Sequence, residues 1–502
     1  MMLSDQKVRL IFGLKLKQLR HARNLSLKEL AEVCGISVSY LNEIEKGKKY
    51  PKSEKIVALA HALEVPYDEM VSLKLGKTLA PVNELLNSEI LNELPLDVFG
   101  VNLENLVEII SNAPIKVSAF ISTLISIARN YEMRVELFLH ATLRSYQELH
   151  DNYFEDLEEA AERFTTEFSL PDTHAPIPVE RLKELLKGQY NYQIDETQLG
   201  KYPELQDIRS VFVQKKSGNK LLLNLHLTEA QAAFQLAKEI GYNYLHLTER
   251  SNTQSWVRAE TFEQVLNNFK ASYFAGALFL NRTRIQQDFK NFIASETWNG
   301  AALLQLIEQY NVSTDTFLYR LTSIAPRFFG LTELFFMRMS YDKTSGHFDV
   351  TKELHLPNLH NPHSNEINEH YCRRWVGVAI LAELNKHTQN GNPPANVVIK
   401  AQRALYLSSG KEYFCISIAR NPHASQSAVS SVTIGFLINR DFMNKVRFWN
   451  DMNVPVVLVS ATCERCKLND CKERSAPPYV LEKQVRQSRM EARLKEVIDQ
   501  TQ

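Results

Sequence analysis

The sequence is short of net charge, of cysteine and of long apolar runs, and each shortage closes off a class of protein. Over 502 residues, 58 lysines and arginines balance 58 acids, so the chain as a whole is no general binder of polyanions. Six cysteines are too few for a disulfide scaffold at this length. No apolar stretch reaches the roughly 18 residues needed to span a bilayer. Residues 1–10, MMLSDQKVRL, lack the apolar core and small-residue cleavage site of a secretory leader. A cytoplasmic protein with no membrane partner is expected. No glycine-rich phosphate loop occurs, and no motif groups Ser, His and Asp for nucleophilic catalysis. What is present is ordinary globular material, 44% hydrophobic and 23% charged, enough for about three domains at roughly 150 residues each.

The charge is unevenly spread. Residues 1–78 hold fourteen lysines and arginines against nine acids, so a basic end meets phosphate while the rest does something else. Residues 6–22 set Val8, Ile11, Phe12, Leu16 and Leu19 at helical spacing, with Lys15, Lys17, Arg20 and Arg23 expected elsewhere on the surface. Ser26 and Glu29 form a capping box that opens a short helix over 27–33. Gly35 supplies the turn, where positive φ is needed, and Ser37 caps a second short helix through about Glu45. Gly47, the lysines around it and Pro51 stop that helix, and a further helix is expected over 53–64.

Two short capped helices joined by a glycine turn are a helix-turn-helix unit. The order from Leu30-Ala31 through Gly35-Ile36-Ser37, Ile44-Glu45, Gly47 and Pro51 to Ala60 resembles the Xre/Cro type of phage repressors and bacterial regulators. That resemblance implies a five-helix, lambda-repressor-like bundle over 6–76 that binds an operator in double-stranded DNA. The second helix of the motif would enter the major groove. Val38, Ser39, Asn42 and Glu43 are the candidates for reading base edges, and Lys28, Tyr40, Lys46, Lys48 and Lys49 for phosphate contact.

Residues 79–170 read as helix interrupted by Pro95 and Pro114, a linker and dimerisation segment, since palindromic operators need two copies. Within 132–167, ten acids face three arginines; that face makes dimer contacts or is simply solvated, and solvation is the simpler reading. From 208 the pattern changes. Strand-like runs at 208–214 and 221–227 flank a glycine turn, Thr228 caps a helix, and another helix follows. A hairpin followed by two helices is similar to the zincin-like domain of the IrrE and ImmA regulatory metallopeptidases, here over 205–345. There, H-E-x-x-H and a downstream carboxylate hold zinc. In this sequence the corresponding positions read Lys238, Glu239, Tyr242 and Asn268, with Phe274-Ala275 matching a downstream pair. Only the glutamate survives, so no enzyme is expected.

The stretch 317–341 is strongly aromatic, as suits a buried interior or, second, an apolar ligand site. Cys463, Cys466 and Cys471 form C-x2-C-x4-C, followed by Arg474 and Pro477-Pro478, and Cys372 lies three residues before Trp375. With the two upstream domains, this ending resembles the short-chain fatty acyl-CoA regulators of the RamB type. Cys372 with the other three would close a structural zinc or iron–sulfur site, and the alternative is buried reduced thiols without metal. The expected fold is mainly α with a smaller α+β part: bundle, helical middle, zincin-like domain with a degenerate metal site, a cysteine-containing α+β effector region over 346–480, and a charged helical tail over 481–502. The expected function is a homodimeric transcription regulator with an acyl-CoA-type effector, for which Arg373, Arg374, Lys400 and Arg403 are candidate phosphate ligands. Two other classes stand beside it: a metallopeptidase that cleaves a partner repressor, and an interaction protein that holds a partner through its acidic helices.

Overall fold

The computed structural model describes residues 5–72, 135–171, 177–205, 208–215, 218–250, 261–342, 346–356, 369–389, 397–420 and 429–501. The expected helices at 79–134, and with them most of the expected dimerisation segment, lie outside those residues. The chain divides into two compact units, one of residues 1–146 with 260–263 and one of 147–259 with 264–502.

In the first unit, the described residues up to 72 form the five helices expected: α1 (Asp5–Ala22), α2 (Leu27–Cys34), α3 (Val38–Glu45), α4 (Ser53–Ala62) and α5 (Tyr67–Val71). The caps are local and do what the sequence asks. The Ser26 hydroxyl accepts from the Glu29 amide at 3.2 Å while the Glu29 carboxylate accepts from the Ser26 amide at 2.7 Å. Gly35 ends α2 at φ +60°, and its amide reaches back to Ala31 and Glu32. Gly13 is needed for space: a Cβ there would sit 2.4 Å from the Ile44 carbonyl oxygen, so α1 and α3 touch backbone to backbone. Phe12, Leu16, Leu30, Leu41, Ile44, Leu59 and Met70 share one core.

Two cations expected on the surface are interior. Arg20 is 6% exposed, its guanidinium forked onto Glu45 at 2.7 and 2.9 Å and onto the Leu25 carbonyl at 2.8 Å. Lys15, 5% exposed, donates to the Glu69 carbonyl at 2.9 Å and to the Ser72 hydroxyl at 3.0 Å, which fastens α5 to α1. Periodicity predicted their helix correctly, but not that distant acceptors would bury them.

Beyond α6 (Val135–Leu149), the second unit begins with α7 (Glu155–Glu167) and α8 (Val179–Tyr190). A three-stranded sheet follows, made of β1 (Tyr192–Asp195), β2 (Ser210–Lys215) and β3 (Gly218–Leu223), with β3 in the middle, parallel to β1 and antiparallel to β2. The second strand of the hairpin therefore stops four residues before the expected 227, where Asn224 turns the chain by donating to the Ile208 carbonyl. The two expected helices are α9 (Glu229–Tyr244), opened by a Thr228–Gln231 capping box, and α10 (Phe262–Phe279). Then come α11 (Arg282–Ile293), α12 (Gly300–Gln309) and α13 (Thr314–Phe329).

The acidic stretch is not a merely solvated face. Glu158, on α7, is 1% exposed and chelates Arg320 of α13 at 2.5 and 2.7 Å, with the Tyr273 hydroxyl donating at 2.6 Å. Burial alone would push that carboxyl up, but Arg320 outweighs it and holds it below the usual range. Glu162 takes Arg282 at 2.7 and 2.9 Å.

A six-stranded sheet of order β5-β4-β8-β7-β6-β9 completes the unit. Its strands are β4 (Leu334–Tyr341), β5 (Phe348–Leu356), β6 (Val397–Tyr406), β7 (Glu412–Arg420), β8 (Val429–Leu437) and β9 (Val456–Val459). Alternate residues face opposite ways. Leu334, Phe336, Phe414, Ile416, Ile434 and Phe436 pack with α11, α12 and α13. Phe335, Met337, Tyr413 and Cys415 pack with α14 (Val376–Gln389). Burial on both faces explains why the stretch 334–339 reads as a near-continuous apolar run. The expected boundary at 345/346 needs correcting, because it falls inside the β4–β5 hairpin of this one sheet. The short α15 (Arg440–Lys445) and α16 (Tyr479–Thr501) are the remaining α-helices among the described residues.

Candidate functional site

The first candidate surface is α3. Ser37 fixes its start by accepting from the Tyr40 amide at 3.2 Å. Leu41 and Ile44 are buried, which turns Val38, Ser39, Asn42 and Glu43 away from the core; Val38 and Ser39 are exposed. Lys28, at the start of α2, and Lys46 and Lys48, just after α3, are exposed as well. Glu43 and Lys49 are coupled: they pair at 2.8 Å, and the Lys49 ammonium also lies 5.7 Å from the Tyr40 ring centre. One helix thus offers Val38 and Ser39 at its N-terminal end, flanked by lysines, on a capped bundle.

The second candidate lies where the zincin resemblance puts its metal. The fold brings the corresponding residues together, with the Tyr242 hydroxyl 3.5 Å from the Asn268 amide oxygen and Lys238 one helical turn before Tyr242. Their chemistry does not fit zinc. An ammonium has no lone pair, a carboxamide is a poor ligand, and burial holds the Tyr242 phenol well above its ordinary pKa. Glu239 is engaged as well. It accepts from Arg250 at 2.7 Å and from the Tyr192 hydroxyl at 2.7 Å, with both partners of the ion pair 9% exposed. The Arg250 guanidinium carbon lies over the Phe212 ring, 3.1 Å from its centre, and over the Tyr242 ring, 4.9 Å from its centre. A fixed guanidinium thus neutralises the carboxylate that would otherwise serve as general base.

Sequence reasoning missed the cations around this point. Burial pushes the Lys238 ammonium down to about 8, with Arg209 and Arg250 adding repulsion against the pull of Glu239. Burial and then Arg338 likewise lower Arg209, which Asp315 favours. Arg338 and Lys352 approach Asp315 at 3.4 and 3.6 Å, and the Lys352 ammonium sits 3.4 Å over the Tyr319 ring. Among the described residues, Arg338 and Lys352 thus lie against Asp315 with Arg209 nearby, and Arg250 lies against Glu239 with Lys238 nearby, beside aromatic rings. The only sequence signal was a lysine at a ligand position. The four expected phosphate ligands are placed differently: Lys400 is tied to Glu383, Arg403 to Glu412 at 2.7 Å, and Arg373 lies against the Phe348 ring, while Arg374 is partly exposed.

Among the cysteines, a bridge between Tyr371 and Thr462 sets Cys372 beside Cys463, and both thiols are buried with that of Cys466. Arg474 donates to the carbonyls of Cys463, Cys466 and Leu468, latching the loop. Burial raises Cys372, and the neighbouring Cys463 and Cys466 add to it. Cys471 is half-exposed. Among the described residues, no group of three or more His, Cys, Asp or Glu is arranged to hold a metal ion. No helix there is long and apolar enough to cross a membrane.

Family profiles match residues 16–70 as a helix-turn-helix and 202–322 as an IrrE N-terminal-like domain, so the chain carries both. The propionyl-CoA carboxylase regulator of Cereibacter sphaeroides is 23% identical over 340 residues, 63% of this chain and 65% of that protein. The uncharacterized HTH-type transcriptional regulator RghRB of Bacillus subtilis is 42% identical over 62 residues, 12% of this chain and 45% of that protein. The transcriptional regulator ClgR of Mycobacterium tuberculosis is 34% identical over 73 residues, 14% of this chain and 64% of that protein. The chain thus spans 45% to 65% of the length of these curated relatives. A solved Mycobacterium tuberculosis transcriptional regulator superposes with a TM-score of 0.45 at 18% identity, covering 66% of this chain and 92% of that one.

Proposed function

We propose that this protein is a sequence-specific DNA-binding transcription regulator, acting as a homodimer, whose IrrE-like domain senses an anionic metabolite of the acyl-CoA class without hydrolysing anything. The observation that carries the reading is α3, whose exposed N-terminal residues and flanking lysines stand on a capped bundle. Replacing Ser39 and Glu43 by alanine tests it. Operator affinity should fall relative to affinity for unrelated duplex, narrowing the ratio between them. An unchanged ratio would mean that α3 does not read bases.

The effector reading rests on the cation cluster, since a phosphorylated ligand needs several positive charges close together and the adjacent rings suit its apolar part. Because Lys238 titrates near 8, an anion held by its ammonium should lose affinity as pH rises through about 8. Isothermal titration with an acyl-CoA from pH 6.5 to 9.5 should show that loss, and Lys238→Met should bind more weakly at pH 7 and remove the step. Identical profiles for both proteins would remove Lys238 from the site.

Against the peptidase reading stand the engaged Glu239 and the three unsuited ligand positions. Protein incubated with zinc should leave a partner repressor intact, and cleavage would overturn this part. For the cysteine loop, the C-x2-C-x4-C spacing supports a structural zinc or an iron–sulfur cluster with Cys372 as a fourth ligand, whereas the described residues form no metal-holding group and favour buried reduced thiols. The choice between them is tested by metal content and by visible absorbance of anaerobically purified protein.

A further inference from the structure

Helix α16 has no buried face along most of its length: residues 482–500 are all exposed. At 1.5 Å per residue this makes a rod about 28 Å long. Helices draw most of their stability from packing an amphipathic face, so a rod of this kind calls for a partner. Its surface is not uniformly polar. Met490, Leu494, Val497 and Ile498 are 65%, 59%, 52% and 48% exposed. Residues 490, 494 and 497 are spaced four and three apart, the d, a and d positions of a heptad, which puts Gln487 at a, Glu491 and Ile498 at e, and Arg486 and Arg493 at g.

We infer that α16 pairs in parallel with α16 of a second copy of this chain. The charges decide the occupant and the direction. In a parallel two-stranded coil, each g residue lies against the e residue of the following heptad across the seam. Arg486 then meets the partner subunit's Glu491, and the same pair recurs by the two-fold symmetry. An antiparallel pair sets g against g and e against e, so arginines would face arginines. The parallel two-fold pair also has the symmetry of an inverted-repeat operator.

Sedimentation velocity on the full-length protein tests this. Wild type should sediment as a dimer at micromolar concentration. Leu494→Asp should raise the dimer dissociation constant at least tenfold while the far-ultraviolet spectrum of the body is kept, because the side chain lies outside the packed core. Arg486→Glu and Glu491→Arg should each weaken the dimer, and the two together should restore it. The inference is overturned by a monomeric wild type, by a dimer indifferent to Leu494→Asp, or by a double exchange that fails to restore what each single change removed.

Discussion

Glu45→Ala should unfold the DNA-binding helices rather than merely weaken their grip. The change deletes the acceptor of a guanidinium that is 6% exposed and leaves Arg20 charged inside a small domain. Removing one partner of a buried ion pair costs about 3–5 kcal/mol. A bundle of this size has about 5 kcal/mol of stability in total, at roughly 0.05–0.15 kcal/mol per residue. The bundle's thermal transition should therefore fall below 37 °C, with operator binding abolished at that temperature and partly recovered in the cold. Arg20→Met with Glu45→Met should restore much of the stability, because two apolar groups leave no charge behind. If Glu45→Ala melts like the wild type, the pair does not hold α1 to α3.

Replacing Lys28, Lys46 and Lys48 together by alanine should weaken binding to every duplex alike. Each phosphate that a lysine no longer neutralises takes about 0.9 off the slope of log affinity against log salt. Three such phosphates in each of two copies would flatten that slope by about five and cost on the order of ten-thousandfold in affinity near 0.15 M salt. Lys49 is left out because it is paired with Glu43, so its removal would also change a base-reading candidate. A salt slope equal to the wild type would place these lysines away from the backbone, and a weakening confined to the operator would make them base readers.

Both predictions concern the part of the chain that was most legible in its sequence. Caps are local: Ser26, Glu29, Gly35 and Ser37 declare helix ends through contacts no more than four residues away. The hairpin and the two helices of the middle domain were readable for the same reason. Burial of charge was not. Arg20 looked like surface because its partner lies 25 residues on, and Glu158 looked solvated because Arg320 lies 162 residues on. The cation cluster was hidden in the same way. Lys238 stands on α9, Arg250 in the loop beyond it, Arg338 on β4 and Lys352 on β5, and no periodicity joins them. Of the cysteines, the loop is local and was visible, whereas the approach of Cys372 depends on an isolated bridge between distant segments.

Lys238, Tyr242 and Asn268 stand where the resembled domain holds its metal, and none of them suits zinc. Under the proposed reading, the cations beside those positions serve to hold an anion. In the proposed homodimer, a ligand that favours one arrangement of the two copies would change how both α3 helices meet DNA.

The most direct test of this account is selection of bound duplexes from a random-sequence pool by the full-length protein. A defined motif should emerge, an inverted repeat with half-sites about one helical turn apart, and Ser39→Ala with Glu43→Ala should blur it at fixed positions in each half. A pool that returns no enriched motif would contradict it.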